Sequence, residues 1–423
     1  MNSNIELTEQ DMDIFEDITP IDEGVTAAEG YQAASVAAGI KYKGQDDMAL
    51  VYTEYPAVLA ATFTQNVFAA APVLYDRQIL KSGHPVHAVV LNTGIANAGT
   101  GLRGKETNLY MAAETARMLD VKPDEVLTCS TGVIGYQLPE EPLYEGVIAL
   151  GKKLEKSRES SRKAAMAIMT TDTVHKEAAC QFVADGKTVT VGGMAKGSGM
   201  IHPDMATMLS VITTDADIEK ENLQELLTDA VNDSFNMVSV DRDTSTNDTC
   251  LLLANRKSGV KIEKDTRLYE TFREALRYVC ITLAKKMAAD GEGATRMLEV
   301  IVTGAKTHDD ARKLARSVSA SNLVKAMVYG ADANSGRILD ALGYAGVDFD
   351  PDLVDVTFLH EDEMMLLIGD GVVKKIDEEK ATKWMKSDKV TFLCELKQGR
   401  EGATAWGCDL THDYVNINGD YRS

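Results

Sequence analysis

The chain has 423 residues, which is enough for two or three domains or one large α/β unit. Apolar residues make up 44% and charged residues 26%, a composition that excludes a disordered or collagen-like protein. The formal net charge of −21 would repel phosphate backbones and anionic membrane surfaces, so neither nucleic acid nor a membrane is expected as a partner.

The cysteines and histidines give no sign of disulfides or metal ligands. The six cysteines lie far apart without a Cys-x-x-Cys motif, and no basic-plus-apolar signal segment precedes them. We therefore expect reduced thiols and a cytoplasmic location. No histidines pair at i, i+4 or cluster with cysteines, so no metal site is expected. No stretch reaches the roughly 20 consecutive apolar residues that span a bilayer.

Predicted elements follow one another without a linker from residue 24 onward. Residues 1–23 carry eight acidic residues and no basic one, which favours a solvated N-terminal arm. Apolar residues at helical spacing predict core-facing helices over 109–119, 223–230 and 268–287. Strands are predicted at 126–127, at 188–191 after an Asp185-Gly186 hairpin turn, and at 208–212, 251–253, 298–302, 354–358, 364–368 and 390–393. The expected class is mixed α/β.

The densest run of unusual residues extends from Lys196 to Leu209, directly after the predicted hairpin. Its glycines let the backbone approach a ligand closely, and Lys196 supplies a charge suited to a carboxylate. A phosphate loop would need Gly-Lys-Ser/Thr at the start of a helix, whereas here Lys-Gly-Ser precedes Met-Ile-His-Pro. Composition alone favours a glycine-rich connection between two strands.

Thr207 stands between Ala206 and a strand-like run. The simplest interpretation is a threonine that begins a strand. The functional interpretation is that Thr207 attacks the carbonyl of Ala206, cleaves the chain and becomes an N-terminal residue. Such a threonine combines a hydroxyl nucleophile with an α-amine base whose unperturbed pKa is ~7.7–8.0.

Three further segments contain candidate site residues. Thr131 and Gly132 place a hydroxyl beside an unobstructed N–H, which suits an oxyanion, although a plain strand-to-turn connection has the same composition. The hydroxyl cluster around Thr170 is typical of caps and turns. Glu292 lies between two glycines and could meet a cationic group or be a solvated loop acid. The polar run 241–248 lacks calcium-loop spacing and is predicted to be an ordered, hydrogen-bonded loop.

Taken together, these segments closely resemble the arginine-biosynthesis glutamate N-acetyltransferase (ornithine acetyltransferase) family. The resemblance is carried by 196–209, 130–135, 169–173, 243–248 and 290–295, and by the tail at 405–410 and 418–423. It extends from about residue 24 to the last residue, and the Met-Ala-Thr-Met-Leu segment in its Lys-Gly context is its most specific part.

The resemblance implies self-cleavage between Ala206 and Thr207 into an α chain (24–206) and a β chain (207–423). These chains stay together, commonly as α2β2, in a fold of stacked β-layers flanked by helices. The implied nucleophile is Thr207 and the implied oxyanion donors are Thr131 and Gly132. The implied substrate contacts are Thr170, Lys196, Thr207, Glu292, Asn418 and Ser423.

The implied reaction transfers an acetyl group from N2-acetyl-L-ornithine to L-glutamate through an acetyl-Thr207 ester. No cofactor is expected, and the sequence leaves open whether acetyl-CoA is also accepted as a donor. One alternative is a self-processing N-terminal-threonine amidase or aminopeptidase, in which water discharges the ester. A second alternative is a non-catalytic acidic binding protein, whose chain would stay intact.

Overall fold

The computed structural model describes residues 17–202 and 208–420. Helices alternate with strands through both ranges, so the predicted α/β class is confirmed. The strands there are Thr19–Ile21 (β1), Tyr31–Val36 (β2), Met48–Phe63 (β3), Val86–Asn92 (β4), Val126–Ser130 (β5), Lys176–Ala184 (β6), Lys187–Lys196 (β7), Leu209–Thr214 (β8), Asp217–Ile218 (β9), Val238–Ser239 (β10), Thr249–Ala254 (β11), Lys261–Ile262 (β12), Met297–Ala305 (β13), Asp355–His360 (β14), Glu363–Gly369 (β15), Val372–Val373 (β16), Lys389–Glu395 (β17) and Glu401–Cys408 (β18).

The α-helices in the same ranges are Ala71–Ser82 (α1), Gly101–Leu119 (α2), Glu140–Gly151 (α3), Arg158–Ala167 (α4), Lys220–Asn232 (α5), Arg267–Ala289 (α6), His308–Ser319 (α7), Asn322–Gly330 (α8), Gly336–Gly343 (α9), Glu378–Trp384 (α10) and His412–Gly419 (α11). The longest of them, α6, begins where the Thr266 hydroxyl accepts the Tyr269 N–H at 3.2 Å, which satisfies a free donor of the first turn. It ends at Asp290, directly before the glycines that flank Glu292.

The first β-layer is a nine-stranded sheet in the order β1-β6-β7-β8-β11-β3-β4-β5, with β2 paired to β3. Strands β8 and β11 run parallel, as do β4 and β5, and the other neighbours are antiparallel. Lys196 on β7 lies opposite Leu209 on β8. The chain therefore leaves this sheet at Lys196 and returns to it at Leu209, so the predicted cleavage segment connects two adjacent strands.

The second β-layer is a seven-stranded sheet in the order β10-β18-β13-β17-β14-β15-β16. Helix α6 packs against β6 and β7 of the first sheet and against β13 and β18 of the second. Its apolar residues belong to one large core together with residues of both sheets, and helix α7 adds a further layer on β13 and β18. The predicted architecture of β-layers flanked by helices is confirmed.

Most local predictions match the observed elements. The 223–230 stripe lies on α5 and is buried, and the 268–287 stripe lies on α6 with only Leu268 partly exposed. The predicted hairpin joins β6 to β7 through Asp185 and Gly186, both with positive φ. The 109–119 stripe is helical as predicted, but Leu109 is 53% exposed, so the prediction that it faces the core is wrong. The predicted Ala112 and Ala116 are buried, and Met111 and Thr115 are buried on the same helix.

The predicted N-terminal arm differs from the structure where it is described. Residues 1–16 lie outside the described ranges, but Thr19–Ile21 form strand β1, which pairs with β6 at the edge of the first sheet. Ile18 is buried in the same core. Backbone pairing and one apolar side chain therefore keep residues 18–21 in the fold, and the prediction of a solvated arm is wrong for them.

A search of the described residues for a helix both long and apolar enough to cross a membrane finds none.

Candidate active site

A single cavity of about 210 Å³ brings together every predicted site residue that the structure describes: Thr131, Gly132, Thr170, Lys196, Glu292 and Asn418. These residues come from positions at or just beyond the ends of regular elements, namely β5, α4, β7, α6 and α11. The packed core fixes the positions of such element ends, and their side chains can still point into a cavity. Ala206, Thr207 and Ser423 lie outside the described residues.

The predicted oxyanion donors occupy a tight backbone segment. Gly132 has φ +131°, and a Cβ there would lie 2.2 Å from the backbone carbon of Gly94, so no other residue fits without a backbone shift. The neighbouring N–H of Val133 donates to the Gly94 carbonyl at 3.1 Å. Within the part of the chain that the structure describes, the Gly132 N–H has no acceptor. Because Gly132 lines the cavity, its N–H is a candidate donor to an oxyanion there.

The Lys196 ammonium group faces two site hydroxyls. Its Nζ donates to Thr170 Oγ1 at 2.8 Å and to Thr131 Oγ1 at 3.4 Å. An ammonium group has no acceptor, so the Thr131 oxygen accepts from Lys196 and its own O–H can point to another atom. Lys196 is buried, and this burial lowers its pKa, against the opposing effect of Asp172.

Glu292 and Asn418 line the same cavity and contact each other. Asn418 Nδ2 donates to Glu292 Oε2 at 2.7 Å, and the Glu292 N–H donates to the Ser198 carbonyl at 2.8 Å. Gly199 makes this approach possible, because a Cβ there would lie 2.2 Å from the Glu292 carboxyl carbon. Glu292 is thus a buried carboxylate held by a side-chain amide, with its remaining acceptor capacity in the cavity.

Helix α11 is tied to the segment that leads toward the predicted cleavage site. The Tyr414 hydroxyl donates to Asp241 Oδ2 at 3.2 Å. The same carboxylate accepts the N–H groups of Met200 at 2.6 Å and Ile201 at 2.9 Å. Burial raises the pKa of Tyr414, so its O–H stays protonated as a donor at neutral pH. The C-terminal helix is therefore docked onto residues 200–201.

Sequence reasoning gave no individual role to several buried polar residues beside the site. Asn247 Nδ2 donates to the carbonyls of Ala96 at 2.6 Å and Ser130 at 2.7 Å, which fixes the loop that carries Thr131. Asp248 Oδ1 accepts the N–H of Met208, the residue after Thr207, at 3.1 Å. Burial raises the pKa of Asp248. The prediction that residues 241–248 form an ordered, hydrogen-bonded loop is confirmed. The hydrogen bond from Asn247 to Ser130 joins residues 117 positions apart, so no local sequence pattern could predict it.

Comparisons with known proteins identify the family of this chain. The ArgJ family model matches residues 32–423. The arginine biosynthesis bifunctional protein ArgJ 1 of Clostridium acetobutylicum is 48% identical over 94% of this chain and 97% of its own length. The ArgJ of Symbiobacterium thermophilum is 48% identical over 95% of this chain and 98% of its own length. A crystal structure of ornithine acetyltransferase complexed with ornithine, from Mycobacterium tuberculosis, is 39% identical, covering 45% of this chain and all of that chain with a TM-score of 0.41.

The family model and the full-length relatives define an acyltransferase of arginine biosynthesis. The chain belongs to the ArgJ family. The predicted glutamate N-acetyltransferase and ornithine acetyltransferase class is confirmed at this level, and the amidase and binding-protein alternatives are not favoured.

Proposed function

We propose that this chain transfers an acetyl group from N2-acetyl-L-ornithine to L-glutamate, giving L-ornithine and N-acetyl-L-glutamate. The observation that carries the proposal is the convergence of Thr131, Gly132, Lys196, Glu292 and Asn418 on one amino-acid-sized cavity. Its volume of about 210 Å³ is below the roughly 300–1,000 Å³ of pockets for larger, drug-sized ligands. Relatives named as arginine biosynthesis bifunctional proteins support the same reaction.

In the proposed mechanism, chain cleavage at Ala206 first frees the α-amine of Thr207. The Thr207 hydroxyl then attacks the acetyl carbonyl, and its proton passes to that amine. The Thr131 O–H and the Gly132 N–H stabilise the negative oxygen of the tetrahedral intermediate. The intermediate collapses as the ornithine nitrogen takes the proton and leaves. The glutamate amine next attacks the acetyl-Thr207 ester, and the same donors stabilise the second tetrahedral intermediate. The bond from the acetyl carbon to the Thr207 oxygen then breaks, and the Thr207 α-amine carries the proton from the glutamate nitrogen to that oxygen, which releases N-acetyl-L-glutamate and restores the hydroxyl.

The charged residues of the cavity suit zwitterionic amino acids. Lys196 supplies positive potential for a substrate carboxylate in a chain whose net charge of −21 would otherwise disfavour anionic glutamate. Glu292, held by Asn418, is placed to meet an ammonium group of ornithine. One cation and one anion in the same cavity thereby orient the donor before the attack.

The wider proposal concerns the assembly and the acetyl donor. The α and β chains stay together, commonly as α2β2, in the cytoplasm, and catalysis needs no cofactor. The cleavage segment connects the adjacent strands β7 and β8, so after cleavage each fragment keeps one of these two paired strands. This pairing supports continued association of the α and β chains. Acetyl-CoA, as a second donor, would load the same Thr207 hydroxyl.

Mass spectrometry and a donor-resolved acetyl-transfer assay test this proposal. We expect fragments of residues 1–206 and 207–423, and transfer from N-acetylornithine that requires glutamate or ornithine as acceptor. Thr207→Ala is expected to remain full-length and inactive, whereas Thr207→Ser keeps the hydroxyl needed for cleavage. Efficient cleavage of Thr207→Ala would refute the mechanism. Acetate release that is independent of an amino-acid acceptor would favour the amidase alternative. Replacing N-acetylornithine with acetyl-CoA decides whether both donors are used.

A further inference from the structure

Four alternating charges form a buried chain directly behind the site. Lys176 Nζ lies 2.6 Å from Asp172 Oδ1 and 2.6 Å from Asp290 Oδ2. Asp172 Oδ2 lies 4.0 Å from the Nζ of Lys196. The side chains of Lys176 and Asp172 are 0% exposed and the other two are 4% exposed. The order Asp290, Lys176, Asp172, Lys196 thus ends at the one member that lines the cavity.

The same carboxylates also fix the backbone of the site. Asp172 accepts the N–H groups of Gly197 at 2.7 Å and of Thr170 at 3.1 Å. Asp290 accepts the Thr173 N–H and hydroxyl, and its own backbone lies two residues before Glu292. The ion chain therefore connects the three segments that carry Thr170, Lys196 and Glu292.

The electrostatic balance of this chain acts on Lys196. Burial would raise the pKa of Asp172, but the Lys176 and Lys196 ammonium groups outweigh it and hold that pKa below its usual range. Burial would lower the pKa of Lys176, but Asp172 and Asp290 outweigh it and raise that pKa. The groups that act on Lys196 are Asp172, Glu292 and Asp248, which favour its charge, and Lys176, which opposes it.

We propose that Asp172, Lys176 and Asp290 are positioning residues that hold the Lys196 ammonium group against Thr131 and Thr170 and keep it charged during acetyl transfer. The proposal rests on the function proposed above. The two cations and two anions of this chain cancel in charge, as they also would in an ion-pair network that only stabilised the fold. The difference is that this chain ends at a charged group in contact with a predicted oxyanion donor.

The test is the pH dependence of acetyl transfer, because two variants shift it in opposite directions. Asp172→Asn removes the carboxylate nearest to Lys196, so the pKa of Lys196 falls. The loss of activity on the alkaline side of the pH profile then begins at a lower pH than in the wild type. A charge 4.0 Å away corresponds to a shift of roughly one to three pH units. Lys176→Met removes the opposing cation, so the pKa of Lys196 rises and the alkaline loss moves to higher pH.

Controls separate positioning from stability. Glu299→Gln removes a carboxylate that lies 3.5 Å from Lys285 in another buried ion pair, on the second sheet and outside the cavity. It is expected to lower the thermal unfolding temperature and leave the pH profile in place. Lys176→Arg keeps the charge and is expected to restore the wild-type profile. If Asp172→Asn does not fold, Asp290→Asn replaces it, with a smaller shift in the same direction because its carboxylate is one ion further from Lys196.

The outcomes distinguish the two proposals. Wild-type protein without acetyl transfer would refute the proposed function, whatever the variants do. Wild-type transfer with an alkaline limb that stays within about 0.3 pH units in the Asp172 and Lys176 variants would overturn the positioning role alone. Shifts of the same sign in both variants would also overturn it, because a general loss of packing has no opposite charge dependence.

Discussion

The contact between Asn418 and Glu292 predicts that the last helix contributes directly to substrate binding. Asn418→Ala removes a 2.7 Å hydrogen bond to a carboxylate. Hydrogen bonds to charged groups contribute about 1.5–3 kcal/mol. Because Asn418 is exposed while Glu292 is buried, we expect the lower end of that range. About 1.5 kcal/mol corresponds to a roughly tenfold fall in kcat/KM for N-acetylornithine.

A matched variant lies on the same helix. Asn416 is exposed like Asn418, and the described residues give its Nδ2 a single acceptor, Asp413 Oδ1 at 3.3 Å. Asn416→Ala is expected to retain wild-type kinetics. Helix α11 has no buried residue, so neither substitution should change thermal unfolding or self-cleavage by more than a small amount.

Steady-state kinetics of the two variants decide the matter. If Asn418→Ala stays within about twofold of the wild type, the hydrogen bond does not act in catalysis and Asn418 must be removed from the site. An equal loss in both variants would show that the helix, rather than the amide, matters. Deletion of residues 418–423 extends the test, since it should reduce transfer at least as much while cleavage continues.

Three further predictions concern the cavity wall and its anchors. Gly132→Ala would force the Gly94 backbone to move and would displace the Gly132 N–H, so transfer should fall roughly 10²–10³-fold in kinetic assays. Gly135→Ala should lose far less activity, because a Cβ at Gly135 meets open space although its φ is also positive. Tyr414→Phe removes the contact with Asp241 and should raise KM more than it lowers kcat; an unchanged KM would contradict this role. Because the pKa of Asp172 is lowered in the folded state, its ionised carboxylate should stabilise the fold above the unfolded-state pKa of ~3.9, and this stabilisation is lost as the pH falls below that value. Acid titration followed by circular dichroism should show a steeper loss of folded protein in the wild type than in Asp172→Asn.

The local part of the fold was predictable because its signals are short-range. The apolar spacing on α5 and α6 reports directly on the face that each helix buries, and the Asp-Gly turn specifies the β6–β7 hairpin. The same reasoning failed for Leu109, which is exposed although Ala112 and Ala116 of the same stripe are buried. It also failed for strand β1, because neighbouring acidic residues obscured an edge strand of only three residues whose pairing partner lies more than 150 residues away.

The site was predictable as a set of motifs and unpredictable as a set of contacts. A resemblance supplied Thr131, Gly132, Lys196, Glu292 and Asn418, and the fold brings all of them to one cavity. The ion chain behind them joins residues up to 114 positions apart. No sequence period specifies which buried carboxylate meets which buried ammonium group, because that pairing follows from tertiary packing. The motifs named Asp172 and Asp290, but only the structure gives them partners.

The position of Lys196 also changes how its role should be understood. Of its three N–H donors, one is directed to Thr170 and one more weakly to Thr131, while Asp172 lies at 4.0 Å. Among the described residues these contacts use two of the three donors, so a substrate carboxylate can accept from the third while both hydroxyl contacts persist. Because the Thr131 oxygen accepts from Lys196, its O–H stays available to an oxyanion while the carboxylate is bound. The same cation can thus serve the resting site and the loaded site without moving from its buried counter-ion.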